Sequence, residues 1–308
     1  MTRLTVLCGG LGGSRFVDAL ARAVGPDAVT AVVNVGDDAV LHGLHVSPDL
    51  DTVLYTLAGL LDEERGWGVR DETYGALGML EALGAETWFT LGDRDIGLHL
   101  ARTELLRDGR PLSAVTARLA SALGVRVRLL PATDDLVRTV VTTPRGELDF
   151  QTWFVRGRHA DPVLAVRADG AEAATPAPGV LEAIAEAGMV FLAPSNPFVS
   201  IGPILAVPGI VEALAARRES VVALAPLVGG RALRGPLVDM LDSLGHEPSA
   251  LGIARLYEEI ASAFVLDPAD ADLEPAIAAL GLRGVVAPIV MLDPASRGEV
   301  GKGVLEAL

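Results

Sequence analysis

Four glycines and four aspartates are the residues through which this chain has the means to do chemistry. Gly9, Gly10, Gly12 and Gly13 interrupt the apolar run Leu4-Thr-Val-Leu-Cys8, and Ser14-Arg15-Phe16 follows, where apolar residues resume at helical spacing. Lacking Cβ atoms, these glycines let the backbone turn sharply and bring several N–H groups against an anion at the positive end of a following helix. That is chemistry for a phosphate. The spacing is neither G-x-G-x-x-G nor the P-loop that ends in Gly-Lys-Ser/Thr, so neither NAD binding nor ATP hydrolysis follows from it. A tight strand-to-helix turn is the alternative reading of the same residues. Asp37, Asp38, Asp49 and Asp51 then fall close together. Singly, each reads as a solvated loop residue or a helix cap. As a set beside a phosphate loop they suit a divalent cation and substrate hydroxyls, with Mg²⁺ or Mn²⁺ favoured over zinc because His and Cys are few. His42 and His45 read as residues without a ligand role.

Two further stretches offer polar groups to a ligand. In Gly92-Asp-Arg-Asp95, Arg94 stands near a helix start, either as a phosphate fork or as an ion-pair partner of Asp93 and Asp95. In Ala193-Pro-Ser-Asn-Pro-Phe-Val-Ser200 a proline-stiffened loop presents Ser195, Asn196 and Ser200 as uncharged donors.

Positioning these groups requires strands that end at one edge. Residues 4–8, 29–35, 125–130, 189–192, 221–224 and 284–292 read as strands, the β-branched run at 29–35 as a buried parallel one. A helix begins near Arg15, and Thr52 enters another that runs through Tyr55 and Leu60. Residues 62–84 read as helical around a loop at 64–70, and 250–272 as helical and then loopy. Residues 139–154 alternate as an antiparallel hairpin around Pro144-Arg-Gly146. The expected fold is α/β: a doubly wound, mainly parallel, Rossmann-like sheet with an inserted hairpin or subdomain, one domain over 1–308 embellished around 139–160. Four strand ends carrying Gly, Pro, Ser, Asn or Asp share the edge where open α/β sheets bind ligands.

Composition narrows the ligand. The formal net charge of −15 opposes nucleic acid, and no run of Lys or Arg makes a local exception. No apolar run reaches the ~18 residues of a membrane span, and residues 1–8 lack the basic region of a leader, so the expected setting is the cytoplasm, with no membrane partner. The single cysteine, Cys8, reads as a small buried hydrophobe. Small molecules are the expected partners. If they are phosphorylated, a chain this acidic needs helix N-termini, a few placed arginines or a divalent cation to hold them.

The combination of Gly9-Gly-Leu-Gly-Gly-Ser-Arg15, Asn34-Val-Gly-Asp-Asp38, Ser47-Pro-Asp-Leu-Asp-Thr52, Leu91-Gly-Asp-Arg-Asp95, Ala193-Pro-Ser-Asn-Pro197 and Ser200-Ile-Gly-Pro203 resembles the 2-phospho-L-lactate transferase family of coenzyme F420 biosynthesis. The resemblance implies transfer of a phosphorylated three-carbon acid, lactyl or enolpyruvyl, from a GDP-linked donor. The acceptor would be the terminal ribityl hydroxyl of the 5-deazaflavin precursor, and GMP would be released. It implies Mg²⁺ as cofactor and a homodimer. By motif, Asp37 and Asp51 would be the catalytic, metal and acceptor-side carboxylates, with Asp38 and Asp49 supporting them and Asp51 nearest the attacking hydroxyl. The glycine loop with Arg15, and the Ser195-Asn196 loop, would hold the guanosine and its phosphates. Thr90 stands where some members carry a basic residue against the deazaflavin. The alternatives are a non-catalytic nucleotide-sugar-binding regulator of the same fold family and a nicotinamide-dependent oxidoreductase. The second is disfavoured by the missing G-x-G-x-x-G.

Overall fold

The computed structural model describes residues 2–308. The strands, in chain order, are β1 (Leu4–Cys8), β2 (Val29–Val33), β3 (Ala39–Leu41), β4 (Leu44–Val46), β5 (Arg128–Pro131), β6 (Arg138–Thr143) and β7 (Gly146–Asp149). They continue with β8 (Ala165–Asp169), β9 (Met189–Leu192), β10 (Val221–Leu224), β11 (Leu227–Val228), β12 (Arg231–Ala232), β13 (Ala263–Leu266) and β14 (Arg283–Val286). Seven of them form one parallel sheet in the order β14-β13-β10-β9-β1-β2-β5. Helices α1 (Gly10–Val24), α2 (Pro48–Leu57) and α5 (Leu112–Ala122) pack apolar residues into its core, while α3 (Gly75–Ala82), with no buried residue, lies against α4 (Asp93–Arg107).

Burial on both faces explains the strand sequences: all five residues of β1 and all four of β10 and β13 are buried, as near-continuous apolar runs require. The chain leaves β1 toward β2 and β5, then returns to the opposite side of β1 as β9. The strand order therefore reverses between β1 and β9, and the loops after these two strands diverge there. On one face Phe16 of α1 meets Phe191 of β9 edge to face, with ring centroids 5.4 Å apart.

The expected α/β class and parallel sheet are present, but several boundaries differ. Helix α1 begins at Gly10, not near Arg15, so the glycines form its first turn. Helix α2 begins at Pro48, which places Asp49 and Asp51 in a first turn and not in a loop. Residues 62–74 are irregular, closed by a Leu61–Val69 bridge, and only Gly75–Ala82 is helical there. The hairpin exists as β6–β7, and β8 joins it as a third antiparallel strand. Its continuation folds into a helical turn, Thr152–Arg156, where strand was expected. Within 250–272 lies β13, an unforeseen central strand: four apolar residues are too few for periodicity to tell strand from helix.

Candidate active site

At the β1/β9 switch point a cleft of about 910 Å³ opens, a volume suited to a drug-sized or cofactor-sized ligand. The first turns of α1 and α2 form one wall, and the loop after β9 forms another. The rest comes from 65–67, Phe89 and Thr90, the aromatic turn after β7, and residues 225–237 and 289–292.

The glycine turn is shaped by what presses on it. Gly10 sits at φ +63°, a conformation that favours glycine. A Cβ on Gly12 would stand 2.4 Å from the Pro194 carbonyl oxygen, so this glycine lets α1 seat against the loop after β9. Two N–H groups of the turn are already engaged: Gly10 donates to Asp49 Oδ1 at 2.7 Å, and Gly9 to Ser195 Oγ at 3.3 Å. Ser195 in turn donates to the Gly9 carbonyl at 2.7 Å. The N–H groups of Leu11 and Gly12, in the first turn, have no intrahelical acceptor and remain for an anion.

The four aspartates are separated by their partners. Asp49 is held on both oxygens, by Gly10 and by Asn34 Nδ2 at 2.9 Å. Burial pushes its carboxyl up to about 6, with those two hydrogen bonds offsetting part of the rise. Asp37 is 5% exposed, and its Oδ1 is buried without a hydrogen-bond donor. Burial, then the charge of Asp49, holds its carboxyl well above the usual range. Both carboxylates line the cleft. Asp38 accepts from Ser47 Oγ at 2.7 Å and pairs with His45 Nε2 at 2.9 Å; burial raises its carboxyl despite these partners. His45, read as lacking a ligand role, thus orients an aspartate. Asp51 accepts from both terminal nitrogens of Arg102, a residue 2% exposed, and from the Ser47 N–H at 3.3 Å. Where Asp51 was expected beside the metal and the acceptor, its carboxylate is closed off beneath α2 and does not line the cleft.

No group of three or more His, Cys, Asp or Glu is arranged to enclose a metal among the described residues. The donor set nonetheless fits Mg²⁺, which is ordinarily held by one or two carboxylates together with substrate phosphate oxygens and water. The unpartnered oxygen of Asp37, raised in proton affinity and beside Asp49, is the group a cation would satisfy.

Arg15, Thr90, Ser195, Asn196 and Ser200 all line the cleft. Asn196 also caps the turn after β9, its Oδ1 accepting from Phe198 N at 2.9 Å. Arg94 is elsewhere: its guanidinium donates to the Arg70 carbonyl at 2.8 Å, its N–H to Glu72, and it does not reach the cleft. Neither Asp93 nor Asp95 is its partner, since Asp93 caps the start of α3 and Asp95 accepts from Tyr55.

Sequence reasoning missed an aromatic wall and three cations. Phe150 stacks on Phe154 with centroids 5.1 Å apart and planes 10° apart, and Phe154 stacks on His159 at 5.5 Å. The i, i+4 spacing of the phenylalanines, a helical signal inside a stretch read as strand, could have found them. Arg65, Arg158 and Arg234 join Arg15 on the cleft surface, so an acidic chain concentrates positive charge there. Scattered arginines leave no such signal in sequence.

The profile of the family described as 2-phospho-L-lactate transferase CofD matches residues 4–275. A phosphoenolpyruvate transferase of Streptomyces coelicolor is 44% identical over 310 residues, covering 98% of this chain and 97% of the relative. Proteins of the same name from Thermobifida fusca (44% identity; 95% and 93% covered) and Mycobacterium sp. strain JLS (42%; 97% and 96%) align as fully. Among solved structures, a UPF0052-family protein from Bacillus halodurans superposes with a TM-score of 0.62 at 19% identity, covering 99% of this chain and 98% of its own, a likeness of fold.

Proposed function

This chain belongs to the 2-phospho-L-lactate transferase (CofD) family and is an enzyme transferring phosphorus-containing groups, and from that premise we propose its substrates and the division of labour in the cleft. The donor is phosphoenolpyruvate joined through its phosphate to GMP, an enolpyruvyl ester of guanosine diphosphate, in keeping with the names of the relatives at 42–44% identity. The acceptor is 7,8-didemethyl-8-hydroxy-5-deazariboflavin. Its terminal hydroxyl oxygen bonds to the phosphorus bearing the three-carbon acid, the bond from that phosphorus to the bridging oxygen breaks, and GMP leaves with the electron pair.

The observation that carries this reading is one cleft holding the free N–H groups of Leu11 and Gly12, the Asp37 carboxylate with its unpartnered Oδ1, and the stacked rings of Phe150, Phe154 and His159. The N–H groups and Arg15 suit the donor phosphates, and the flat wall suits a planar tricycle. Asp37, with donor oxygens, would hold Mg²⁺, which supplies neutralisation of charge on the transferring group. Asp49, with its carboxyl near pH 6, accepts the hydroxyl proton, since a base works best when its affinity lies near the working pH. Ser195 fixes the glycine turn through its two bonds to Gly9. Asp51 acts through Arg102 and Ser47, holding the turn that aims Asp49. Little covalent work is asked of the protein, because positioning and charge stabilisation supply most of the acceleration in such transfers.

Calorimetric titration with GDP, with and without Mg²⁺, tests the reading. GDP should bind, and bind about tenfold or more tightly when the cation is present, as charge-neutralised phosphate binding predicts. Binding of UDP-sugars in preference to GDP, indifferent to Mg²⁺, would favour a nucleotide-sugar regulator instead.

A further inference from the structure

We propose that Glu63 and Arg297 are positioning residues that hold the Arg15 guanidinium as the clamp for the donor's phosphates. The proposal rests on the reading of the cleft as a site for a nucleoside-diphosphate-linked donor. Arg15 is the one cleft arginine that projects from α1 itself, next to the free N–H groups of Leu11 and Gly12. It is 6% exposed; its Nη2 donates to Glu63 Oε2 at 2.9 Å, while its Nε is buried with no acceptor. A guanidinium held at Nη2 while its Nε lacks an acceptor keeps a donor in hand for an anion oxygen, in the manner of arginine forks. An unmet buried donor is costly, and an anion in the adjoining cleft is what would meet it.

The same Glu63 oxygen accepts from Arg297 Nη2 at 2.6 Å. Arg297 is 1% exposed and spends its other donors on Asp18 Oδ2, at 3.2 Å, and on the Met291 carbonyl, at 3.2 Å. Arg22 completes the cluster by pairing with Asp18 at 2.8 Å. Three guanidiniums therefore face two carboxylates, leaving one positive charge in excess beside the cleft of an acidic protein. Burial raises the Glu63 carboxyl, but the hydrogen bonds from Arg297 and Arg15 more than offset it, so Glu63 stays ionised and keeps its hold on both. Through these bonds Arg297, on the helix Arg297–Ala307, ties together α1, the loop bearing Glu63 and the cleft segment containing Met291. No pattern in the sequence links Arg15 to a residue so far along the chain.

Arg297 is buried deeply enough that its removal risks the fold, so Glu63→Gln, which keeps size and loses charge, is the working variant, with Arg15→Met beside it. Affinities for GDP and for the deazaflavin are measured by calorimetry together with thermal stability. Both variants should lose GDP affinity by about tenfold or more, the scale of a charge-assisted hydrogen bond, while deazaflavin affinity stays within about twofold. If Arg15→Met loses GDP affinity and Glu63→Gln does not, positioning is overturned while the donor site stands. If Glu63→Gln lowers melting temperature and both affinities alike, Glu63 is structural only, which also overturns it. A wild-type protein that binds no GDP overturns the reading of the cleft and this proposal with it.

Discussion

Asp37 and Asp51 differ in the company their carboxylates keep, and replacing each by Asn should separate them. Asp37 has an oxygen with no donor, next to a second buried carboxylate. Asp37→Asn should therefore leave melting temperature unchanged or higher, yet slow transfer by about two to three orders of magnitude, the scale of lost charge stabilisation at a phosphoryl centre. It should also raise the Mg²⁺ needed for half activity; an unchanged Mg²⁺ requirement would remove Asp37 from the cation. Asp51 sits in a bidentate pair with Arg102, both buried. Asp51→Asn strands that guanidinium, at a cost of about 3–5 kcal/mol. Scanning calorimetry should show the loss, and turnover per folded molecule should fall far less than in Asp37→Asn; a stable variant with turnover abolished would return Asp51 to the chemistry. The aspartates were legible in the sequence as a group beside a glycine loop. Which of them faces the cleft was not, because Asn34, Ser47 and Arg102 decide it, and Arg102 reaches Asp51 from 51 residues away.

Helix α1 shows how an element fixes a site before any side chain acts. Its first turn seats beneath the Pro194 carbonyl only because position 12 has no Cβ. Gly12→Val should displace that turn, costing about 1–3 kcal/mol of stability as overpacking does. GDP affinity should fall with it, since the N–H groups of Leu11 and Gly12 move; a folded variant binding GDP within about twofold of wild type would detach the turn from the donor site. The turn itself was legible, since four glycines after an apolar strand admit few other structures. The helix start was not, because glycine weakens the helical signal at 10–13 and moves the apparent start to Arg15. The aromatic wall was lost for a related reason: strand alternation in 138–149 hid the switch to helical spacing at Phe150 and Phe154.

Across the whole molecule the charge of −15 and the buried carboxylates of the cleft make ligand-free stability depend on pH in a fixed direction. Asp49 titrates near 6 when folded, against about 4 in an unfolded chain. The folded state then binds more protons between those values, so this group adds stability as pH falls through 6 and withdraws it as pH rises. Asp37 and Asp38, also raised, push the same way. Without Mg²⁺, melting temperature should therefore fall less between about pH 4.5 and 6.5 in Asp49→Asn than in wild type, the window that the unfolded and folded values span; equal slopes would deny Asp49 its raised affinity. At this scale the parallel sheet was legible from β-branched strands and from strand ends rich in glycine, proline and aspartate. The strand Ala263–Leu266 and the third strand of the insertion were not, since one is short and the other alternates weakly at an exposed edge. The most direct measurement is a single-turnover transfer assay at a saturating concentration of the enolpyruvyl ester of guanosine diphosphate, following GMP and modified deazaflavin together. Wild-type protein with Mg²⁺ should give one GMP for each deazaflavin modified, and EDTA or Asp37→Asn should suppress both products in parallel. GMP release without a modified deazaflavin, or transfer that proceeds at the wild-type rate in EDTA or in Asp37→Asn, would contradict the account.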